Sequence, residues 1–173
     1  MSSVIFTIDW EVWNSFDRHS KWNPNSHIDE PTNYLLDLLQ RHQIKAIFYC
    51  VGWLADRRPD LFEAIKKSHI IGDHTYYHST DPIVRLSDDV PFRAPRWHGE
   101  KRLYSGGFWF RLMPYWWIKK EVEKTGVFFV HPHDVILEHP KCGLRTFDRR
   151  LGLKTSRDKL ERLCREVKWN EPR

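Results

Sequence analysis

The sequence predicts an α/β domain built on a parallel sheet. Short apolar runs typical of buried strands alternate with segments of helical periodicity, and the connections between them are short. Polar residues or glycine follow each of the first three predicted strands. Because the carboxyl ends of parallel strands meet at one edge, where such proteins usually hold functional groups, we expect a site there.

Length and composition fit a single domain over residues 1–173. Aromatic residues make up 14% of the chain, including nine Trp, and they provide apolar area for a core. The net charge is +5, but Lys and Arg are scattered among acids and form no basic stripe. We therefore expect no nucleic-acid partner.

The cysteines and the first residues bear on the compartment. Cys50, Cys142 and Cys164 are odd in number and irregularly spaced, which favours a reducing compartment over a disulfide framework. The N-terminus lacks the basic and apolar regions of a signal peptide, and no stretch approaches the length of a membrane span. We expect a cytoplasmic protein without a membrane span.

The first predicted strand covers residues 3–8 and delivers Asp9 and Glu11 at its end. Two carboxylates there need partners if they are buried, so they indicate either a site or a helix N-cap followed by a first-turn acid. Residues 14–30 are polar without periodicity and predict a long loop. A helix is expected to begin around Glu30-Pro31 and to bury a leucine-rich stripe.

Two more strands follow. Residues 45–51 form an apolar run that we expect to stop at Gly52, and Pro59 is expected to open the next helix. Ile70 and Ile71 then predict a short buried strand, after which Gly72 would free the backbone to turn.

The prediction of a metal site starts from His74 and His78. Four residues apart, they can face the same way on a helical turn, so both imidazoles can reach one cation. The chain has ten histidines, so such a pair can also arise by chance or be two partly buried histidines.

The second half adds another helix and strand. Pro114 predicts a helix start and Gly126 its end, and residues 127–130 form an apolar strand that delivers His131 and His133. The aromatic residues before that strand are predicted to be mostly core. After a basic loop over residues 137–154, Thr155 or Ser156 is expected to cap a final helix, which packs on the body through Leu160, Leu163, Cys164 and Val167.

One rim should therefore bring together two carboxylates, three histidines and an arginine, namely Asp9, Glu11, His74, His78, Arg93 and His131. A cation held by two imidazoles and one carboxylate leaves positions open for water and substrate. The remaining groups can serve as base and acid.

These residues resemble the motifs of the polysaccharide deacetylases, carbohydrate esterase family four. Thr7-Ile8-Asp9 is similar to the first motif, residues 69–78 to the histidine motif, Arg93-Ala94-Pro95 to the Arg-x-Pro motif and His131 to the final histidine. The segment from Gly106 to Tyr115, with His131-Pro132, is most similar to the exosortase-associated branch.

The resemblance implies a distorted (β/α) barrel that uses a divalent metal, often zinc, to remove acetyl groups from N-acetylated sugars during surface polysaccharide biosynthesis. It implies that His74 and His78 are metal ligands and that Asp9 is the catalytic base. It further implies that Arg93 pairs with that base and that His131 is the catalytic acid. The partner would be an N-acetylated sugar or a polysaccharide precursor.

Two departures from the family pattern bear on the site. Trp10 stands where the family has a second Asp as a metal ligand, so Glu11 is the candidate replacement unless Asp9 itself binds the metal. Residues 80–92 are too short for the further helix and strand that the family usually places there. We therefore expect an incomplete barrel that is open on that side, with a wider site.

Several alternatives stay open at this point. Trp97 and Arg111 are candidates for substrate binding, and Arg111 can equally be structural, as Arg93 can be a surface residue. His133 competes with His131 for the role of acid. The competing functions are hydrolysis of another amide, such as a cyclic ureide, and a non-catalytic remnant that binds metal or carbohydrate.

Overall fold

The computed structural model describes residues 4–12, 25–76, 105–137 and 152–172. In these ranges the chain forms four strands, β1 (Ile5–Trp10), β2 (Ile47–Cys50), β3 (Ile70–Asp73) and β4 (Val127–Val130). The helices are α1 (Asn25–Arg41), α2 (Gly52–Arg57), α3 (Pro59–Ser68), α4 (Gly107–Leu112), α5 (Tyr115–Thr125) and α6 (Leu153–Glu166), with a 3₁₀ turn over Pro132–Asp134.

The strands form one parallel sheet in the order β3-β2-β1-β4, which confirms the predicted α/β class. Within the described residues the outer strands β3 and β4 pair only with their inner neighbours, so the sheet is an open section of a (β/α) barrel. One of the two inner strands, β1, has Phe6, Ile8 and Trp10 fully buried, and these alternating residues form the face that packs into the core.

Most predicted elements form, with shifted boundaries. Helix α1 begins before Pro31, which lies inside it, so the predicted loop is wrong for residues 25–30. The second predicted strand does end before Gly52, at Cys50, and Gly52 is the first residue of α2. The predictions for α3 at Pro59 and for the end of α5 at Gly126, which is left-handed with φ 73°, are confirmed.

The final helix begins slightly earlier than predicted. Its N-cap is Gly152, and the hydroxyls of Thr155 and Ser156 donate to the Gly152 carbonyl from inside the helix at 3.1 and 3.0 Å. The prediction that either residue is the N-cap is therefore wrong. The apolar face of α6 is buried as predicted, through Leu160, Leu163, Cys164 and Val167.

The last described segment lies beside the start of β1. Val4 forms a parallel bridge with Trp169, and the indole packs against the Phe6 ring at a centroid distance of 4.9 Å. None of the helices within the described ranges combines the length and the apolar character needed to cross a bilayer.

Candidate functional site

The candidate site lies at the carboxyl edge of the sheet. Asp9 is the second-last residue of β1, and Glu11 follows that strand. His74 follows β3, and His131 follows β4. Because all four strands are parallel, these residues come to one edge, as the sequence predicted.

The alternation of β1 explains why Asp9 and Glu11 reach this edge while Trp10 does not. Side chains two residues apart lie on the same side of a strand, and the residue between them lies on the other. Trp10 is fully buried in the core, and its indole Nε1 donates to the Thr32 hydroxyl at 3.0 Å. An Asp at this position would face the core, so Glu11 is the residue placed to supply a second carboxylate.

Glu11 lies between the two histidines. Its Oε2 is 3.4 Å from His74 Nε2, and its Oε1 is 3.7 Å from His131 Nε2. The same His131 Nε2 is 3.8 Å from Asp9 Oδ2. The four side chains therefore form a continuous cluster of two carboxylates and two imidazoles.

Asp134 fixes the position of His131 through hydrogen bonds. Its Oδ2 accepts hydrogen bonds from His131 Nδ1 at 3.0 Å, from the His131 backbone N–H at 3.0 Å and from the Gly107 N–H at 2.7 Å. An ionised carboxylate can only accept, so Nδ1 carries the proton, and Nε2 is the nitrogen that faces Asp9. The sequence interpretation missed Asp134, although an acid three residues after an N-cap residue is a known capping signal.

The pKa values of the two rim histidines follow from these contacts. Burial lowers the pKa of His131, but the hydrogen bond and charge of Asp134, with the charges of Glu11 and Asp9, raise it to about 9. Burial also lowers the pKa of His74, and its contact with Glu11 and the charge of Asp9 raise it overall. Without a cation nearby, both imidazoles hold a proton readily.

His133 has the opposite character. It is buried, its ring stacks on that of His131 with centroids 4.5 Å apart, and burial together with the His131 charge lowers its pKa to about 3. Burial acts to raise the pKa of Asp134, but its contacts with His133 and His131 and the charge of Arg111 hold it well below its usual range. A neutral His133 thus packs behind a charged His131.

Two groups of side chains have the chemistry of a metal site. Glu11 and His74 offer a carboxylate and an imidazole, ligand types that suit zinc, at a mutual distance of 3.4 Å. Among the described residues, His131, His133 and Asp134 also have ligand atoms within 4.8 Å of one another. In that group Asp134 Oδ2 already accepts two backbone N–H bonds, which makes the pair at Glu11 and His74 the better fit.

The remaining candidate residues are placed as follows. Arg111 lies in α4, is 2% exposed, and acts on Asp134 through its charge. His78, Arg93 and Trp97 lie outside the described residues, so their predicted roles stay predictions.

The local structure around His74 differs from the helical turn that the sequence suggested. Residues 74–76 are not helical, and Thr75 has a φ of 61°, in the left-handed region. Gly72 does not supply a turn, because it lies within β3. A Cβ at this position would be 2.4 Å from Cδ1 of Tyr49, so glycine is needed for close packing between β2 and β3.

Comparisons with known proteins agree with this architecture. Residues 9–92 match the family described as polysaccharide deacetylase, and residues 72–173 match a domain of unknown function, DUF3473. No solved structure gives a significant match.

Two curated relatives match parts of the chain. A peptidoglycan-N-acetylglucosamine deacetylase of Bacillus cereus is 40% identical over 61 residues, which cover 35% of this chain and 22% of the relative. An uncharacterized 30.6 kDa protein of Geobacillus stearothermophilus, from the fumA 3' region, is 28% identical over 98 residues, which cover 53% of this chain and 34% of the relative. The match therefore spans about a third of the length of one of these relatives and about a fifth of the other.

Proposed function

The chain belongs to the polysaccharide deacetylase family, and on that basis we propose that it is a metal-dependent N-deacetylase that removes acetyl groups from an N-acetylated sugar. The observation that supports this most directly is the position of His131. Its Nε2 lies 3.8 Å from Asp9 and 3.7 Å from Glu11, while its Nδ1 is held by Asp134 at 3.0 Å.

The proposed metal ligands are Glu11, His74 and His78, with Glu11 in place of the family's second Asp. A divalent ion in such a set, zinc being the favoured metal, polarises an amide carbonyl and lowers the pKa of bound water. The Glu11 carboxylate, which follows β1, and the His74 imidazole, which follows β3, are 3.4 Å apart and are a suitable partial set for it.

Asp9 and His131 then divide the proton transfers. Asp9 accepts the proton of the water that attacks the acetyl carbon, and His131 donates a proton to the leaving nitrogen as the C–N bond breaks. The products are acetate and a free amine on the sugar. His131 has the acid form available, since its pKa is raised to about 9, although a cation bound beside Glu11 would lower that value.

The proposed substrate is a sugar precursor of a surface polysaccharide. The Bacillus cereus relative acts, by its name, on N-acetylglucosamine in peptidoglycan, which supports an N-acetylated sugar here. We also propose a reducing compartment, the cytoplasm, because Cys50 and Cys164 are both free and buried.

The test compares two carboxylate variants. Asp9→Asn should keep the metal and lose turnover, because the base is gone while the ligands remain, whereas Glu11→Gln should lose the metal. Metal content is measured by elemental analysis, and turnover by acetate release from a panel of N-acetylated sugars and sugar nucleotides.

The other outcomes are equally informative. If Asp9→Asn loses the metal and Glu11→Gln keeps it, the two roles are exchanged. A parent protein that binds metal but releases no acetate from any of these sugars would point to the non-catalytic remnant. If His74→Ala kept full metal occupancy, the proposed ligand set would be wrong.

A further inference from the structure

The turn after β3 contains a residue in an unfavourable backbone conformation. Thr75 has a φ of 61°. For a β-branched residue this region is sterically crowded, so such a conformation persists only where neighbouring contacts enforce it.

The contacts that enforce it come from both sides. The Thr75 N–H donates to Asp73 Oδ1 at 2.9 Å, which closes an Asx turn. On the other side, the first two N–H groups of α2 lie at the helix start, where no carbonyl of the helix is in place to accept from them, and they donate to this turn instead. Gly52 donates to the Thr75 carbonyl and Trp53 to the Tyr76 carbonyl, each at 3.1 Å.

His74 lies between these anchors. Its N–H donates to the Cys50 carbonyl at 3.2 Å, which extends the pairing of β2 and β3 by one bond. Its side chain is buried, with Nε2 3.4 Å from Glu11 Oε2. The backbone on both sides of His74 is thus held by hydrogen bonds.

We propose that Asp73 is a positioning residue for His74: its carboxylate oxygen holds Thr75 in the left-handed region, and this presents the His74 imidazole to Glu11 and to the metal. The part that concerns the metal rests on the proposed function. Without the Asp73 acceptor, Thr75 gains by relaxing to an ordinary φ, which turns the chain that follows His74 away from α2.

Three variants test the proposal with Zn²⁺ alone as the probe, titrated in competition with a chelator. Asp73→Asn keeps an oxygen acceptor and should bind Zn²⁺ as the parent does. Asp73→Ala should bind about ten- to a hundredfold more weakly, the usual effect of removing a group that orients a ligand. Asp73→Ala combined with Thr75→Gly should recover most of the loss, because glycine adopts a positive φ without help.

The pattern separates positioning from direct ligation. If Asp73 were itself a ligand, Asp73→Asn would weaken binding as Asp73→Ala does, and Thr75→Gly would not rescue it. Either result would overturn the proposal.

A metal-free readout keeps the proposal independent of the metal. In Zn²⁺-free protein, Asp73→Ala should shift the ring ¹⁵N signals of His74 and speed hydrogen exchange at the Thr75 amide, and Asp73→Asn should change neither. A parent that binds no Zn²⁺ would contradict the proposed metal dependence, and these signals would still decide the role of Asp73. Unchanged signals in Asp73→Ala would show that it does not position His74.

Discussion

His131 and His133 are adjacent in space but differ in what they can do. His131 Nε2 faces Asp9 and Glu11, while His133 is stacked behind it with its pKa lowered to about 3 by burial and by the His131 charge. Asn at position 131 can still donate to Asp134 but lacks Nε2. His131→Asn should therefore keep its metal and lose about a hundred- to ten-thousandfold in kcat, the usual value of a general acid.

His133→Asn is the matched control, and it should retain most of the rate. Both variants are compared by acetate release on a substrate that the parent cleaves, with metal content measured alongside. If His133→Asn lost the rate and His131→Asn kept it, the acid would be His133.

The residues that the sequence placed at the site are those whose position depends only on strand ends. Asp9, Glu11 and His131 lie at the predicted edge because parallel strands share it. The role of Gly72 could not be predicted, since it depends on the Tyr49 ring of the neighbouring strand. The spacing of Asp134 from His131 is a local signal that was missed, whereas its hydrogen bond with Gly107, distant in sequence, could not be predicted.

At the scale of elements, the Ser105 hydroxyl forms two hydrogen bonds with the backbone of β4. The Phe129 N–H donates to Ser105 Oγ at 2.6 Å, and that hydroxyl donates to the Phe129 carbonyl at 2.9 Å, so Ser105 satisfies both backbone groups of Phe129. Ser105→Ala leaves them without this partner and should destabilise the protein by about 1–3 kcal/mol. The measurement is the urea midpoint together with hydrogen exchange at the Phe129 amide.

Thr125→Ala is the control for Ser105→Ala. Its hydroxyl also bonds to backbone carbonyls, Glu121 and Val122 among them, but the residue is exposed. It should change the urea midpoint much less and leave exchange at Phe129 unaltered. Equal losses in the two variants would mean that Ser105 does not support β4 specifically.

Element boundaries show where local signals are overridden. A proline usually lies in the first turn of a helix, yet α1 begins before Pro31. The extra residues include Ile28, which is almost completely buried in the core and so stabilises helix upstream of the proline. Local sequence cannot indicate this, because the gain comes from packing against the rest of the fold.

At the scale of the whole molecule, the parallel architecture follows from the alternation of strands and helices, but the strand order does not. The sheet places β1 between β2 and β4, although β4 is the last strand described along the chain. This order puts the proposed base near the end of β1 and the proposed acid directly after the adjacent strand β4. Their separation therefore depends on how those two strands are packed together.

Trp169 packs on both of these strands. Its ring lies 4.9 Å from that of Phe6 in β1 and 6.3 Å from that of Phe128 in β4, and its Nε1 donates to the Cys164 carbonyl at 3.1 Å. Trp169→Ala removes these contacts and should lower the free energy of unfolding by about 2–3 kcal/mol, less than for a fully buried Trp.

Trp116→Ala is the matched control, because its side chain is 68% exposed and its loss should change the free energy of unfolding by no more than about 0.5 kcal/mol. Both are measured by urea denaturation, where an unchanged m-value shows that stability alone has changed. The phenyl rings that Trp169 contacts precede Asp9 and His131 on their strands, at the end of the sheet away from the site. Folded Trp169→Ala should therefore bind metal with the parent's stoichiometry. If its free energy of unfolding equalled that of Trp116→Ala, the packing of β1 on β4 would not depend on this indole.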